Sequence, residues 1–324
     1  MRTCLFDPAI ETHECGISSN LGDLIISQAV RRELKTIVGE VPIYSIATHV
    51  FPTGKHLFQM LRCPLRFVGG TNLLSSNMDT YKQWKLNLFH ASLIRKAILL
   101  GVGWWQYQEE PNSYTSKLLR RLLSPTHLHS VRDSYTEKKL QAVGFGNILN
   151  TGCPTMWPLA NLRPGEIPAF KSNTVLLMLT DYYTQPVSDK KLVELLQSRY
   201  EKIYFWPQGR KDLKYISELG CSVHCLEHSL ASLEKFIRET PSFDYVGTRL
   251  HGGIHCLLAR RRSLILEVDN RATEIARQTG LPTAARDNWE AIRKWINGPT
   301  ETKITMNTAA IEKWKQQFQT LTAR

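Results

Sequence analysis

Phe243-Asp-Tyr-Val-Gly-Thr-Arg249-Leu-His251-Gly-Gly-Ile-His-Cys-Leu-Leu-Ala259 changes its hydrophobic rhythm halfway along. The first part is a short apolar run that stops at Gly247. The part from about Gly253 puts Ile254, Leu257 and Leu258 on one helical face. A strand that hands over to a helix within a few residues is half of a βα unit, and the unit recurs along the chain. Short apolar runs at 3–6, 41–46, 66–68, 97–100, 128–131 and 148–150 alternate with amphipathic stretches, and so do those at 174–179, 202–205, 222–224, 245–246 and 263–268. The alternation predicts an α/β protein built on two largely parallel sheets of similar size.

Between the two sets lie Pro154-Thr-Met-Trp-Pro158 and the continuation to Pro168, too rich in proline for a helix interior or a central strand. This segment divides the chain into an N-terminal Rossmann-like domain, 1–160, and a C-terminal one, 169–286. A helical strap, 287–324, comes after them, with Trp289, Ile292, Trp295 and Ile296 on one face. Helices are expected at 287–296 and 307–321.

Composition narrows the class. The chain has 324 residues, 42% hydrophobic and 22% charged, enough for one large or two medium cores. No run approaches the roughly 18 apolar residues that a membrane span needs, since Gly101 and Gly103 interrupt the longest candidate. The opening residues turn acidic and meet Pro8 before a secretory apolar region could form, so a cytoplasmic location is expected. Seven cysteines, an odd number without zinc spacing, are expected as reduced, packed thiols. A net charge of +12 favours anionic partners. The cations are dispersed, Arg260-Arg-Arg262 forming the tight cluster, and no nucleic-acid-binding motif accompanies them, so nucleic acid is not expected as a partner.

In open α/β sheets, ligands collect beyond the carboxyl ends of strands. Three glycine-bearing segments fall there: Gly69-Gly70-Thr71-Asn72, Gly101-Val-Gly-Trp-Trp-Gln106 and Thr151-Gly-Cys-Pro154. None matches the dinucleotide or P-loop fingerprint. Asn20-Leu-Gly22-Asp23 heads a helical stripe of Ile26, Val30, Leu34 and Ile37. Asn20 and Asp23 can serve that helix start as cap and acidic partner; alternatively the loop 11–20 borders a ligand cleft and Asp23 faces a sugar hydroxyl or an arginine. In Ser130-Val-Arg132-Asp133 the arginine precedes a helix that Ser134 and Glu137 would cap. A cation there needs a negative partner, either Asp133 or a bound phosphate or carboxylate. Arg249 and His251, two apart in an extended loop, would face one side, with the adjacent glycines leaving room for a ligand. His255 is expected as packing and Arg260-Arg-Arg262 as a solvated helix end. In Glu267-Val-Asp269-Asn270-Arg271, Asp269 caps the next helix or Arg271 holds an anion.

Together these motifs resemble the polysaccharide pyruvyl transferase family: Asn-x-Gly-Asp, Gly-Gly-Thr after a strand, Ser-x-Arg-Asp, Arg-Leu-His-Gly, then Asp-x-Lys, here with Arg271 in place of the lysine. The resemblance runs from Asn20 to Leu281. It implies two Rossmann-like domains facing across a cleft, as in B-type glycosyltransferases. It also implies transfer of the pyruvyl group of phosphoenolpyruvate onto two hydroxyls of a sugar in a surface polysaccharide or its precursor, forming a ketal and releasing phosphate. Phosphoenolpyruvate is then a co-substrate, and no cofactor or metal is expected. The resemblance places the donor between the domains, at Arg132 and Arg249 beside His251. On that basis His251 is the expected general acid or base and Asp23 orients the acceptor. Asn20, Gly22, Gly70, Thr71, Asp269 and Arg271 complete the expected substrate-binding set. The acceptor is a sugar or lipid-linked saccharide, and the basic surface suits peripheral association with the inner face of the membrane. The competing reading is a nucleotide-sugar glycosyltransferase of B-type fold.

Overall fold

The structure is a computed structural model that describes residues 2–12 and 16–319. It divides into two compact units: Met1–Ser18, Ile26–Trp157 and Met306–Arg324 form one, and Ser19–Ile25 with Pro158–Thr305 the other.

The first unit begins with β1 (Thr3–Asp7), all five residues buried, as expected of a strand covered on both faces. A small antiparallel pair comes next, β2 (Ile10–Thr12) and β3 (Gly16–Ile17), then α1 (Leu21–Val38). After these come β4 (Ile43–Ala47), α2 (Gly54–Leu61), β5 (Leu65–Gly69), α3 (Leu88–Ile94) and β6 (Ala97–Leu100). The main sheet has the order β4-β1-β5-β6, every pairing parallel. Then α4 (Ser113–Leu122), β7 (His129–Val131), α5 (Ser134–Val143) and β8 (Ile148–Asn150) complete the alternation. The parallel pair β7-β8 joins the sheet through the Val102–Val131 bridge and the Gly101 N–H, which donates to Ser130 O at 3.0 Å. Met60 of α2, Ala91 and Ile94 of α3, Leu118, Leu119 and Leu122 of α4, and Leu140 and Val143 of α5 share one core. These four helices therefore form a layer on one face of the sheet.

The second unit holds β9 (Thr174–Met178), α6 (Pro186–Gln197), β10 (Lys202–Phe205), α7 (Asp212–Glu218), β11 (His224–Cys225) and α8 (Leu230–Glu239). It continues with β12 (Asp244–Gly247), α9 (Leu250–Leu258), β13 (Ser263–Glu267), α10 (Asn270–Thr279), β14 (Thr283–Ala285) and α11 (Trp289–Asn297). Its sheet has the order β11-β10-β9-β12-β13-β14 and is parallel throughout. The chain runs outward from β9 through β10 to β11, then returns to lay β12 on the other side of β9. The direction of winding reverses between β9 and β12, which makes their carboxyl ends a topological switch point.

The architecture is α/β with two parallel-sheet, Rossmann-like units. The expected strands are all present, and β2, β3 and β14 are added, each too short to carry a hydrophobic rhythm of its own. The proline-rich segment holds a single 3₁₀ turn, Trp157–Asn161. The two final helices go to different cores: α11 gives Ile292, Trp295 and Ile296 to the second unit, while Trp314 of α12 (Thr308–Gln316) and Phe318 pack edge-on against Phe67 of the first. Residues 320 and 321, expected in the last helix, lie outside the described residues.

Arg262 departs from the solvated role expected of its cluster. Its side chain is 1% exposed, donates to Asp244 at 2.8 Å and lies 3.6 Å over the Trp295 ring, fixing α11 to the sheet. Six cysteines are free, four of them buried; Cys15 lies outside the described residues. Among the described residues, no helix is long and apolar enough to cross a membrane.

Candidate functional site

In the second unit, the switch point is built from the segments that leave β9 and β12. Beyond β12, α9 starts at Leu250, with Arg249 as N-cap in extended conformation. The helix begins about three residues earlier than the glycines suggest, so His251 sits in its first turn rather than in an extended loop beside Arg249. The reason is packing. A Cβ on Gly252 would lie 2.3 Å from Met178 Sδ, and one on Gly253 2.6 Å from Ile265 Cγ1 and 2.7 Å from Tyr245 Cε1. The two glycines let the helix start press onto β9, β12 and β13, and the space expected for a ligand is filled by the sheet's own side chains.

Arg249 is 2% exposed. Its Nε donates to Asp212 Oδ2 at 3.0 Å, and its Nη2 donates to Asp181 Oδ1 at 2.9 Å and to Asp212 Oδ1. Its guanidinium lies 4.9 Å from the Tyr182 ring centroid. The Asp212 carboxylate also accepts the Gly209 N–H at 2.7 Å and the Asp181 N–H at 3.1 Å. One arginine thus ties together the segments after β9, β10 and β12. Burial opposes its charge, but Asp212, Tyr182 and Asp181 together outweigh burial and hold its pKa above the ordinary arginine value. Burial pushes the Asp212 carboxyl up, and Arg249 pulls it partly back. Nη1 has no hydrogen-bond partner among the described residues.

The motif Asn20-Leu-Gly-Asp belongs to this unit, not to the expected 1–160 block, because Gln208 gathers it there. The Leu21 N–H donates to Gln208 O at 2.8 Å, and Gln208 Nε2 donates to Asn20 Oδ1 at 3.0 Å. At the other end of the same amide, Oε1 accepts the Gly252 N–H at 3.1 Å, in the first turn of α9. A Cβ on Gly22 would lie 2.6 Å from Gln208 Nε2, so the glycine leaves room for that amide to reach Asn20. Asp23 occupies the first turn of α1, mostly buried; the Asp23 N–H donates to Asn20 O at 2.9 Å. Sequence reasoning missed Gln208, Asp212 and Asp181. For Gln208 and Asp212 the one local signal is the proline-glycine segment Trp206-Pro207-Gln208-Gly209 at the end of β10.

At the next strand end, Asp269 caps α10 by accepting the Arg271 N–H at 3.0 Å. Its carboxylate also receives the Arg271 guanidinium, Nη2 at 2.6 Å, and a further Nη2 contact reaches the Tyr182 hydroxyl at 3.0 Å. Tyr182 therefore touches both arginines. Between Asp269 and Arg271 sits Asn270, 4% exposed, whose Oδ1 and Nδ2 have no partner among the described residues. A buried amide left open at both ends, at a helix N-terminus next to Arg271, marks a place for a polar ligand. The second unit thus brings together Asn20, Gly22, Asp23, Arg249, His251, Asp269 and Arg271.

The first unit gathers the rest. Arg132, also 2% exposed, donates from Nε to Asp133 at 3.0 Å and from Nη1 to Asn72 at 2.7 Å. Its Nη2 is buried without a partner among the described residues. Asp133, rather than Ser134, caps α5, because its carboxylate accepts both the Thr136 N–H and the Thr136 hydroxyl. Gly103 makes room for the guanidinium: a Cβ there would sit 2.2 Å from Arg132 Cζ. Gly70 is required by the neighbouring strand end, since its Cβ would fall 2.5 Å from Gly101 O. Thr71 O accepts the Gly103 N–H at 2.9 Å. Among the described residues, no group of three His, Cys, Asp or Glu is placed to hold a metal ion.

No curated protein matches the sequence. Among solved structures, the one titled "Crystal structure of LpCGTa in complex with UDP" aligns over 90% of this chain and 85% of that chain, with 12% identity and a TM-score of 0.37. The family profile described as polysaccharide pyruvyl transferase matches residues 20–270, a span that opens on the asparagine held by Gln208 and ends on the open amide of Asn270. A match over most of the chain, enclosing nearly every motif that the fold brings to a strand end, shows that this protein belongs to the polysaccharide pyruvyl transferase family.

Proposed function

We propose that this transferase takes the pyruvyl group of phosphoenolpyruvate and places it on two hydroxyls of one sugar of a polysaccharide or its precursor, forming a ketal and releasing phosphate. The observation that carries the reading is the family match over residues 20–270. The start of α10 supports it, because it lies at a strand end in the second unit with the open Asn270 amide in its first turn, a place that suits an anion.

The charge of Arg249 is already met by Asp212 and Asp181, so the arginine acts first as the clamp that shapes the site. It offers Nη1 to the donor. Asn270 supplies an unsatisfied donor and acceptor, and Arg271, an arginine where the family has lysine, presents a planar fork held by Asp269. Within the first unit, the open Nη2 of Arg132 is an anion contact of that unit's own.

Ketal formation balances in bonds and protons. A proton is added to the methylene carbon of the donor, leaving positive charge on the neighbouring carbon. One sugar hydroxyl bonds to that carbon, the bond to the phosphate oxygen breaks, and the second hydroxyl bonds in its place. Of the two hydroxyl protons released, one balances the proton now on the methyl group and the other leaves with phosphate. An imidazole exchanges protons near neutrality, and His251 is the general acid or base, a role worth about 10²–10⁴ in rate. Asp23 orients an acceptor hydroxyl.

Incubating the protein with phosphoenolpyruvate and candidate glycans, and monitoring inorganic phosphate by phosphorus NMR, tests the donor. Phosphate release that requires the glycan supports the reading. Release of a nucleoside diphosphate from a sugar nucleotide, with phosphoenolpyruvate untouched, contradicts it.

A further inference from the structure

The helices α2, α3 and α4 bury one side each in the same core of the first unit, so their opposite sides form one outward face. On α2, Lys55, Phe58, Leu61 and Arg62 recur at helical spacing on that side, with Phe58 53% and Leu61 56% exposed. On α3, Phe89 is 64% exposed, and its neighbour His90 stacks on the exposed Phe51. Large apolar side chains rarely stand this open in a cluster on a surface that contacts only water.

Cations border them. Arg95 and Lys96, at the end of α3, line one concavity with Arg120 and Arg121 of α4. Lys117 lines the next groove with the same two arginines. From Val41 to Arg132 the sequence holds eleven Lys and Arg against three acids, Asp79, Glu109 and Glu110, an excess of eight of the chain's net twelve charges. Glu110 is engaged by Lys139 and Asp79 by Asn112. Among the described residues, no carboxylate pairs with any cation of this face. Scattered along the sequence from Lys55 to Arg121, these charges are gathered by the fold.

Two chemistries side by side decide the partner. Unpaired cations suit any polyanion, but exposed phenylalanines interleaved with an aliphatic leucine add nothing to a phosphodiester backbone, whereas they suit the boundary between headgroups and acyl chains. We propose that the outward face of α2, α3 and α4 docks this protein on an anionic lipid bilayer, the cations against headgroups and Phe58, Leu61 and Phe89 inserted between them. Docking is independent of which donor the second unit takes.

Sedimentation of the full chain with vesicles of phosphatidylcholine, with and without phosphatidylglycerol, tests this. Binding is expected only to the anionic vesicles and weakens as salt rises. Replacing Lys96, Arg120 and Arg121 with Gln lowers affinity by about a hundredfold, at about fivefold per cation. Phe58→Ser with Phe89→Ser lowers it by at least about tenfold. Thermal melts of the variants identify any that fail to fold, and the comparison of the two vesicle types needs no variant. Equal binding to both vesicle types overturns the proposal. So does an undiminished affinity of the folded serine variant, or binding to duplex DNA without binding to anionic vesicles.

Discussion

Gln208 holds Asn20 and Gly252 at the two ends of one side-chain amide: its Nε2 donates to Asn20 Oδ1 at 3.0 Å and its Oε1 accepts the Gly252 N–H at 3.1 Å. The first motif in the sequence and the helix start that carries His251 are thereby fixed by a residue from neither. Gln208 is 4% exposed, so water cannot readily replace it.

Gln208→Ala leaves the buried Gly252 N–H without its partner and removes one bond from the half-buried Asn20 carboxamide, which keeps the Gly22 N–H. The cost is about 1–3 kcal/mol of stability, read by urea unfolding. A change below about 0.3 kcal/mol would show that the amide does not organise this region.

Arg249→Met leaves Asp212 buried and uncompensated, which costs about 3–5 kcal/mol. Adding Asp212→Asn should recover much of that loss, giving a clear coupling energy in a double-mutant cycle. The sign with pH comes from burial, which raises the Asp212 carboxyl pKa. With the arginine gone, a protonated Asp212 is tolerated, so the deficit of the single variant shrinks as pH falls and grows as pH rises. Additive effects in the cycle would mean that the pair is not coupled.

His129 makes the first unit acid-sensitive. Burial pushes its pKa down to about 4, and its Nδ1 accepts the Leu99 N–H while Nε2 faces Ser124 O. The folded state binds the proton less readily than the unfolded chain, so stability is complete above about pH 6.5 and is lost as pH falls toward 4, by about 3 kcal/mol in all. Thermal melts between those limits should show the slope, and His129→Asn should flatten it. An unchanged slope in that variant would assign the acid sensitivity elsewhere.

Local rhythm made the sheets legible. Strands such as β1, β6, β9 and β13 announce themselves as apolar runs because a buried parallel strand needs nothing else. Features that depend on partners far along the chain were not legible. Gln208 meets Asn20 across 188 positions, and Arg249 meets Asp212 across 37, with no local pattern to mark either. Gly252 and Gly253 look like a loop because their reason, the approach of Met178 and Ile265, lies on other strands. Ser134 reads as the cap of α5, and the Thr136 N–H and hydroxyl, both donating to Asp133, decide against it. Arg262 was hidden inside a cationic run whose other members look solvated, because only the fold brings Asp244 and Trp295 to it.

Pyruvyl transfer from phosphoenolpyruvate is tested most directly by running the reaction in heavy water with carbon-labelled donor and a glycan acceptor, in the parent protein and in His251→Gln. Carbon NMR of the recovered glycan should show a ketal carbon bonded to a methyl group that carries one deuteron, formed by the parent and slowed about 10²-fold or more in the variant. Label absent from the glycan, or equal rates in the two proteins, would contradict the account.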